Sequence, residues 1–163
     1  MKKIVYALLV TMSTAFALSS CSPKTNSTPM NVNRSAISGN WSLNNITFDN
    51  ISESNIKTFL GEPSYKCFIG SIWNLTNSGN GEYLIPNNEY CSAKTQDIFW
   101  SYNSTDAVFQ YKILNEGDRA KNVTDGFKLL VASNNGSEMT IKSPISYNGG
   151  TAYVNLHFQK VTR

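Results

Sequence analysis

The fold is decided by the run Ser38-Gly39-Asn40-Trp41-Ser42-Leu43-Asn44-Asn45-Ile46-Thr47-Phe48. Apolar and polar residues alternate along it, as they do along a strand that buries one face. The alternation slips at Asn44 and Asn45 before Ile46 and Phe48 resume it, which predicts a bulge where the strand bends. Similar alternation recurs to the C-terminus, so we expect the run to be the first strand of a single antiparallel sheet.

The chain contains seven more alternating runs, each bounded by turn residues. Together the runs predict eight strands, near residues 39–48, 68–76, 82–86, 97–103, 107–114, 126–133, 138–143 and 151–161. Eight antiparallel strands joined mostly by short turns close into a barrel just wide enough for side chains or one small ligand. The fold class predicted is therefore all-β, an eight-stranded antiparallel up-and-down β-barrel.

One segment, Ile51 to Leu60, departs from the strand period. Ser52 can cap a helix, Gly61 can end it and Pro63 prevents its continuation. We therefore expect one short helix here, lying over one end of the sheet.

The N-terminus has the pattern of a secretory signal. Lys2 and Lys3 precede an apolar run, residues 4–18, that is too short for a stable membrane span. Removing residues 1–20 takes away these two lysines and no acidic residue, so the formal net charge falls from +3 to +1. A nearly neutral mature chain without a Lys/Arg cluster argues against nucleic-acid binding.

The end of the signal, Leu18-Ser19-Ser20-Cys21, resembles the lipobox of bacterial lipoproteins. The resemblance implies a signal peptide at 1–20 and a mature N-terminal Cys21 carrying palmitate-type acyl chains, which would anchor the protein to a membrane. The alternative is an ordinary secretory signal with a chance cysteine nearby. Residues 21–36 have the Ser/Thr/Asn/Pro-rich composition of a flexible tether, and we place the barrel domain at 37–163.

The residues after Cys21 carry no acidic cluster. In Bacteroidota-type lipoproteins an acidic stretch at this position resembles a surface-export signal. Its absence favours the periplasmic face of the bacterial outer membrane over the cell surface.

Cys67 and Cys91 remain once Cys21 is assigned to acylation. In an oxidising compartment we expect them to form a disulfide, and two buried free thiols are the alternative. Neither cysteine has a second Cys or His at ligand spacing, so we expect no metal site.

Beyond its signal, the chain resembles the lipocalin-like superfamily, whose first strand carries a Gly-x-Trp motif. It is most similar to the lipocalin-like lipoproteins of Bacteroidota, on the ordered set Gly39-Asn40-Trp41, Cys67, Ser71-Ile72-Trp73, Gly81-Glu82-Tyr83, Cys91 and Ile98-Phe99-Trp100. The resemblance covers residues 37–161. The chain departs from the classical pattern in lacking a Thr-Asp-Tyr motif and a clear arginine to stack on Trp41; Lys160 and Arg163, at the far end, are poor substitutes.

Catalytic chemistry has few candidate groups. The one histidine, His157, alternates with Leu156 and Phe158 and should face outward. A Ser/His/Asp arrangement cannot be assembled, and turns explain the acidic residues. We expect no catalytic residue and no cofactor.

The remaining candidates are inward-facing aromatic residues, which suit the wall of a ligand cavity and are also what a filled barrel core contains. They are Trp41, Trp73, Tyr83, Trp100, Tyr102, Phe109, Tyr111, Phe127 and Phe158. Two functions follow. The first is a membrane-anchored, non-catalytic binder of a small hydrophobic or amphipathic molecule in the cell envelope. The second is a solid-core barrel that contacts another envelope protein through loops such as Asn115 to Gly126.

Overall fold

The computed structural model describes residues 32–161, so Cys21, the predicted signal peptide and most of the predicted tether lie outside the described residues. Eight antiparallel strands form a closed barrel in which each strand pairs with the next in sequence and the last pairs with the first. The strands are β1 (Gly39–Asp49), β2 (Ile72–Leu75), β3 (Asn80–Ile85), β4 (Lys94–Asn103), β5 (Val108–Leu114), β6 (Phe127–Asn134), β7 (Glu138–Tyr147) and β8 (Gly150–Lys160). The predicted up-and-down barrel is confirmed.

The predicted bulge in the first strand is also confirmed. The pairing of β1 with β8 shifts register between Leu43 and Asn45. Both asparagines of the slip are exposed, whereas Leu43 and Ile46 point into the barrel. The extra residue therefore restores the buried face after the bend.

The prediction of a short helix between Ile51 and Leu60 is wrong. This segment contains one 3₁₀ turn, Glu53–Asn55, and then a tight turn closed by an isolated bridge between Phe59 and Glu62. Its apolar residues are too few for a helical face. They are buried instead by a chain that folds across the end of the barrel.

The second strand is shorter than predicted. A 3₁₀ turn, Tyr65–Phe68, precedes it, and Gly70 has a positive φ of 83°. Regular pairing with β1 therefore starts only at Ile72. The apolar residues of 65–69 close the barrel rather than line its wall.

Within residues 32–161 the α-helix is α1, Arg34–Ile37. It lies in the stretch that the sequence assigns to the tether, and Val32 and Ile37 are both buried. Within the described residues, packed structure therefore begins at Val32. The helix closes the barrel end at which β1 starts, which we call the closed end. We call the opposite end the mouth; it is covered by the loops 50–71, 86–93, 115–126 and 148–149.

Lys160 is a better partner for Trp41 than the sequence suggested. The two residues pair directly across β1 and β8, and the Lys160 ammonium nitrogen lies 5.1 Å from the centre of the Trp41 ring. The expectation was wrong because antiparallel closure places the end of the last strand beside the start of the first. Gly39 is needed here: its φ is 124°, and a Cβ on it would lie 3.1 Å from the Lys160 side chain.

Among residues 32–161, no helix has the length and apolar character needed to cross a membrane.

Candidate ligand site at the barrel mouth

The predicted aromatic residues all face the barrel interior. Six of the nine are at most 2% exposed, Phe158 is 5% exposed, and Tyr102 and Phe127 are partly buried against the same core. Ring contacts join Trp73 to Tyr83 at 4.8 Å and to Tyr111 at 5.5 Å between centroids. Tyr111 in turn contacts Phe127 at 5.1 Å. These contacts fill the middle of the barrel with aromatic side chains.

Three tryptophans of this set have structural roles. Their indole N–H groups donate to the Ile37 carbonyl from Trp41 (2.7 Å), to the Ser71 hydroxyl from Trp73 (2.9 Å) and to the Asn80 carbonyl from Trp100 (3.2 Å). Trp100 is also covered by the guanidinium of Arg34, 4.6 Å from its ring centre. Because their indole N–H groups already donate hydrogen bonds, these residues stabilise the barrel and need no further hydrogen-bond partner.

The mouth is covered by the turn Phe59–Glu62, which we call the lid tip. Phe59 and Leu60 are 4% and 8% exposed, so the lid tip inserts apolar side chains into the barrel end. A Cβ on Gly61 would lie 3.5 Å from Ile113 and 3.6 Å from Phe127, so the lid tip rests against β5 and β6. Leu60 has a φ of 49°, a left-handed conformation that is costly for a branched side chain.

The last residue of the lid tip, Glu62, forms a polar cluster with the barrel wall. Glu62, 6% exposed, forms a salt bridge with Lys94 and accepts a hydrogen bond from the Tyr83 hydroxyl at 3.4 Å. Burial, and after it the charge of Glu62, raises the pKa of Tyr83 far above its usual value. Neither Glu62 nor Lys94 stood out in the sequence, because Glu62 lies in an irregular loop and Lys94, the first residue of β4, precedes the alternating run that the sequence shows. The lone acidic residue between Gly61 and Pro63 was the available signal.

A second tyrosine hydroxyl in the interior is unsatisfied. Tyr111 is 1% exposed, and its hydroxyl has no hydrogen-bond partner among residues 32–161. Burial raises the pKa of Tyr111 well above its usual value, and the neighbouring Tyr83 and Glu62 add to this. A buried hydroxyl without a partner is uncommon in a folded protein and needs a physical explanation, such as a bound molecule. The hydroxyl of Tyr102 is also buried and without a described partner.

The disulfide between Cys67 and Cys91 is present, with the two Cα atoms 5.5 Å apart. Cys67 belongs to the 3₁₀ turn that follows the lid tip, and Cys91 to the loop between β3 and β4. The Glu62 carboxylate lies within 4.8 Å of both sulfur atoms. Because the sulfurs are bonded to each other they have no thiolate for a metal. The disulfide instead fastens residues 50–71, which we call the lid segment, to the barrel wall.

His157 faces outward, where the sequence placed it. Its ring nitrogens lie 2.8 Å from the Thr47 hydroxyl and 3.3 Å from the Thr140 hydroxyl, on the outer surface of β1, β7 and β8. Asp49, at the end of β1, lies close enough to interact electrostatically with it. The contacts of His157 therefore link β1, β7 and β8 on the outer face of the sheet.

Comparison with known proteins gives neither a matching family model nor a matching curated protein. Among the solved structures that match are those of bovine odorant-binding protein and of a siderocalin. Bovine odorant-binding protein in complex with a selenium-containing odorant has a TM-score of 0.47 and 10% identity, over 81% of this chain and 74% of that chain. A deswapped triple mutant of bovine odorant-binding protein has a TM-score of 0.46 and 10% identity, over 78% and 76%. A siderocalin described as functioning through dual ligand specificities has a TM-score of 0.36 and 10% identity, over 77% and 71%. At such low identity, the function of this chain has to be inferred from its own residues.

Proposed function

We propose that this chain is a non-catalytic barrel that binds a small hydrophobic or amphipathic molecule at its mouth. The observation that carries the proposal is the Tyr111 hydroxyl, which is buried among rings and has no described partner. A molecule with one polar group and an apolar body would satisfy that hydroxyl and fit the aromatic surroundings. The Tyr83 hydroxyl, which donates to Glu62 of the lid tip, offers a further polar group beside it once the lid tip has moved.

The ligand reaches this position when the lid tip leaves. The rings and the lid tip fill the mouth, so Phe59 and Leu60 occupy the volume that a bound ring or short chain would take. Between β1 and β2 the lid segment has only short 3₁₀ turns and one isolated bridge. The strained backbone of Leu60 lowers the cost of its departure by about 1–3 kcal/mol. A ligand that replaces these side chains covers the apolar surface of the mouth that their departure exposes.

The test compares benzyl alcohol with toluene, two ring-sized probes that differ by one hydroxyl. Their affinities are measured by quenching of tryptophan fluorescence in the natural chain and in Tyr111→Phe. If the Tyr111 hydroxyl bonds to the ligand, the ratio of the two affinities shifts towards toluene in the variant by about two- to tenfold. Tyr102→Phe is the control, and it should leave the ratio unchanged. Equal ratios in all three proteins would refute the proposed site.

The same proposal places the protein on the periplasmic face of the bacterial outer membrane, anchored through an acylated Cys21. Its support is the lipobox-like run before Cys21 and the lack of acidic residues after it. Cys21→Ala should abolish incorporation of labelled palmitate and shift the protein from the membrane to the soluble fraction. Unchanged labelling in the variant would exclude Cys21 as the acylated residue.

One observation favours a second function, an interaction module for another envelope protein. The described interior is filled by rings in mutual contact, as in a solid core. Native mass spectrometry of the protein released from its own membranes separates the two functions. A co-purified small molecule favours the binder, whereas an empty barrel whose crosslinks to one partner map to residues 115–126 favours the module.

A further inference from the structure

A cavity of about 480 Å³ lies outside the barrel, between the outer face of the sheet and the loop that joins β5 to β6. We propose that this cavity, which we call the outer groove, is a second binding site and that it takes an amphipathic anion such as a single-chain carboxylate. Most of its floor is formed by outward-facing side chains of β4, β5 and β6. Tyr111 and Phe127, which also belong to the mouth site, border the cavity, but its lysines lie outside the barrel and make it a separate site.

The roof of the outer groove is the loop of residues 115–126, which is held in place by bonds of its own. The Lys112 ammonium group donates to the carbonyls of Val123 at 2.6 Å and Ala120 at 3.2 Å. At the start of the loop, the Asn115 backbone N–H and side-chain amide both donate to one carboxylate oxygen of Asp118, at 2.8 and 3.1 Å. The roof is thus fixed over the sheet before any ligand arrives, which reduces the ordering cost of binding.

The floor of the groove is set by strand register. Phe99 lies opposite Lys112 across β4 and β5, and Gln110 lies opposite Lys128 across β5 and β6. The Gln110 amide donates to Ser101 at 2.9 Å. One part of the floor is therefore an aromatic ring and the aliphatic stem of a lysine, and the other part carries polar groups and an ammonium.

At its β6 end the roof approaches the sheet closely at Gly126. A Cβ on this residue would lie 2.7 Å from the Tyr111 carbonyl oxygen. Only glycine therefore lets the loop return to the sheet at this distance.

The charge of the lining selects the ligand. The residues that line the outer groove include Lys112, Lys121 and Lys128 and no Asp or Glu. Across residues 32–161 the salt bridges are Lys94 with Glu62 and Lys142 with Asp49. Lys121 and Lys128 thus have no carboxylate partner in the described part of the chain, and an anion would supply one. Because the floor also includes an aromatic ring, a ligand with both a charge and an apolar body fits best.

The experiment uses the full chain with Cys21→Ser, so that the predicted acyl chains do not compete with the probe. Backbone amide NMR spectra are recorded during titration with decanoate and, separately, with decyltrimethylammonium. Decanoate should shift the amides of residues 99–101, 110–112 and 120–128, and the cation of equal chain length should not. Shifts confined to the lid tip would overturn the outer groove and leave the proposed mouth site standing. Shifts of equal size with both probes would overturn the charge argument.

Charge variants test the lysines directly. The double variant Lys121→Gln/Lys128→Gln should bind decanoate at least about fivefold more weakly than the natural chain, as expected when two exposed charge pairs are lost. Added salt should reduce this difference in affinity, because it screens exposed charges. Lys57→Gln, which removes a charge from the lid segment, is the matched control and should bind normally. Equal affinities for the double variant and the control would refute the proposal.

The anion can be a free molecule or a lipid headgroup. Cosedimentation with phosphatidylcholine vesicles, with and without phosphatidylglycerol, distinguishes the two sources. Binding to the anionic vesicles that the double variant loses supports the proposal with a headgroup as the ligand. Decanoate binding without vesicle binding supports it with a free molecule.

Discussion

Removing one oxygen atom should make the empty barrel more stable. The change is Tyr111→Phe, which deletes a hydroxyl that is buried without a described partner. An unsatisfied buried polar group costs about 1–3 kcal/mol, because it loses its bonds to water and gains none in the protein. Part of the gain is lost to the small void that the oxygen leaves. We therefore expect the free energy of unfolding to rise by about 1 kcal/mol and the melting temperature by about 3–4 °C.

Urea denaturation of ligand-free protein measures the effect, with Tyr83→Phe as the matched control. The Tyr83 hydroxyl donates to the buried Glu62, so the same chemical change at Tyr83 should destabilise the protein by about 1 kcal/mol. The two variants thus have opposite expected signs. A ligand that bonds to Tyr111 should reverse the order, since it stabilises the natural chain more than Tyr111→Phe. Loss of stability in both ligand-free variants would show that Tyr111 has a partner in the free protein, and the reasoning would fail.

Three further predictions concern the disulfide, alkaline pH and the first strand. Replacing Cys67 and Cys91 by serine should lower the free energy of unfolding by about 3 kcal/mol, as for a loop of this length. It should also speed amide hydrogen exchange in the lid tip. Unchanged exchange there would show that the disulfide does not hold the lid tip in place. The pKa values of Tyr83 and Tyr111 are raised by burial, so their contribution to stability is fully present below about pH 10, where unfolded tyrosine ionises, and is lost as the pH rises towards the folded values. Tyrosinate absorbance should therefore show these two groups ionising together with unfolding, and early, independent ionisation would contradict their burial. Gly39→Ala should cost about 2 kcal/mol in urea denaturation, because its φ of 124° strains any other residue; a neutral result would mean that the strand start can relax.

The barrel could be predicted because its information is local. Alternation along each run tells which side chains face inward, and turn residues mark where each strand ends. The slip at Asn44 and Asn45 even located the bulge that the structure shows. The pairing of Cys67 with Cys91 followed from the expected compartment and from the assignment of Cys21 to acylation.

The candidate site could not be predicted in the same way, since it depends on contacts between distant segments. Glu62 and Lys94 meet across the mouth, and neither lies in a periodic pattern. The aromatic residues look alike in sequence, yet the structure satisfies the polar atoms of Trp41 and Trp100 and leaves the hydroxyl of Tyr111 without a described partner. That difference depends on which carbonyl happens to lie nearby.

Period and turn chemistry are properties of neighbouring residues, so the eight strands and their inward faces were already determined by the order of amino acids. Closure of the sheet and the path of its irregular loops are properties of the whole molecule. They decided that Lys160 covers Trp41, that the lid tip fills the mouth and that three lysines line the outer groove. Side chains far apart in the chain acquire their partners only when the barrel closes, and for this reason the chemistry of the site belongs to the tertiary structure.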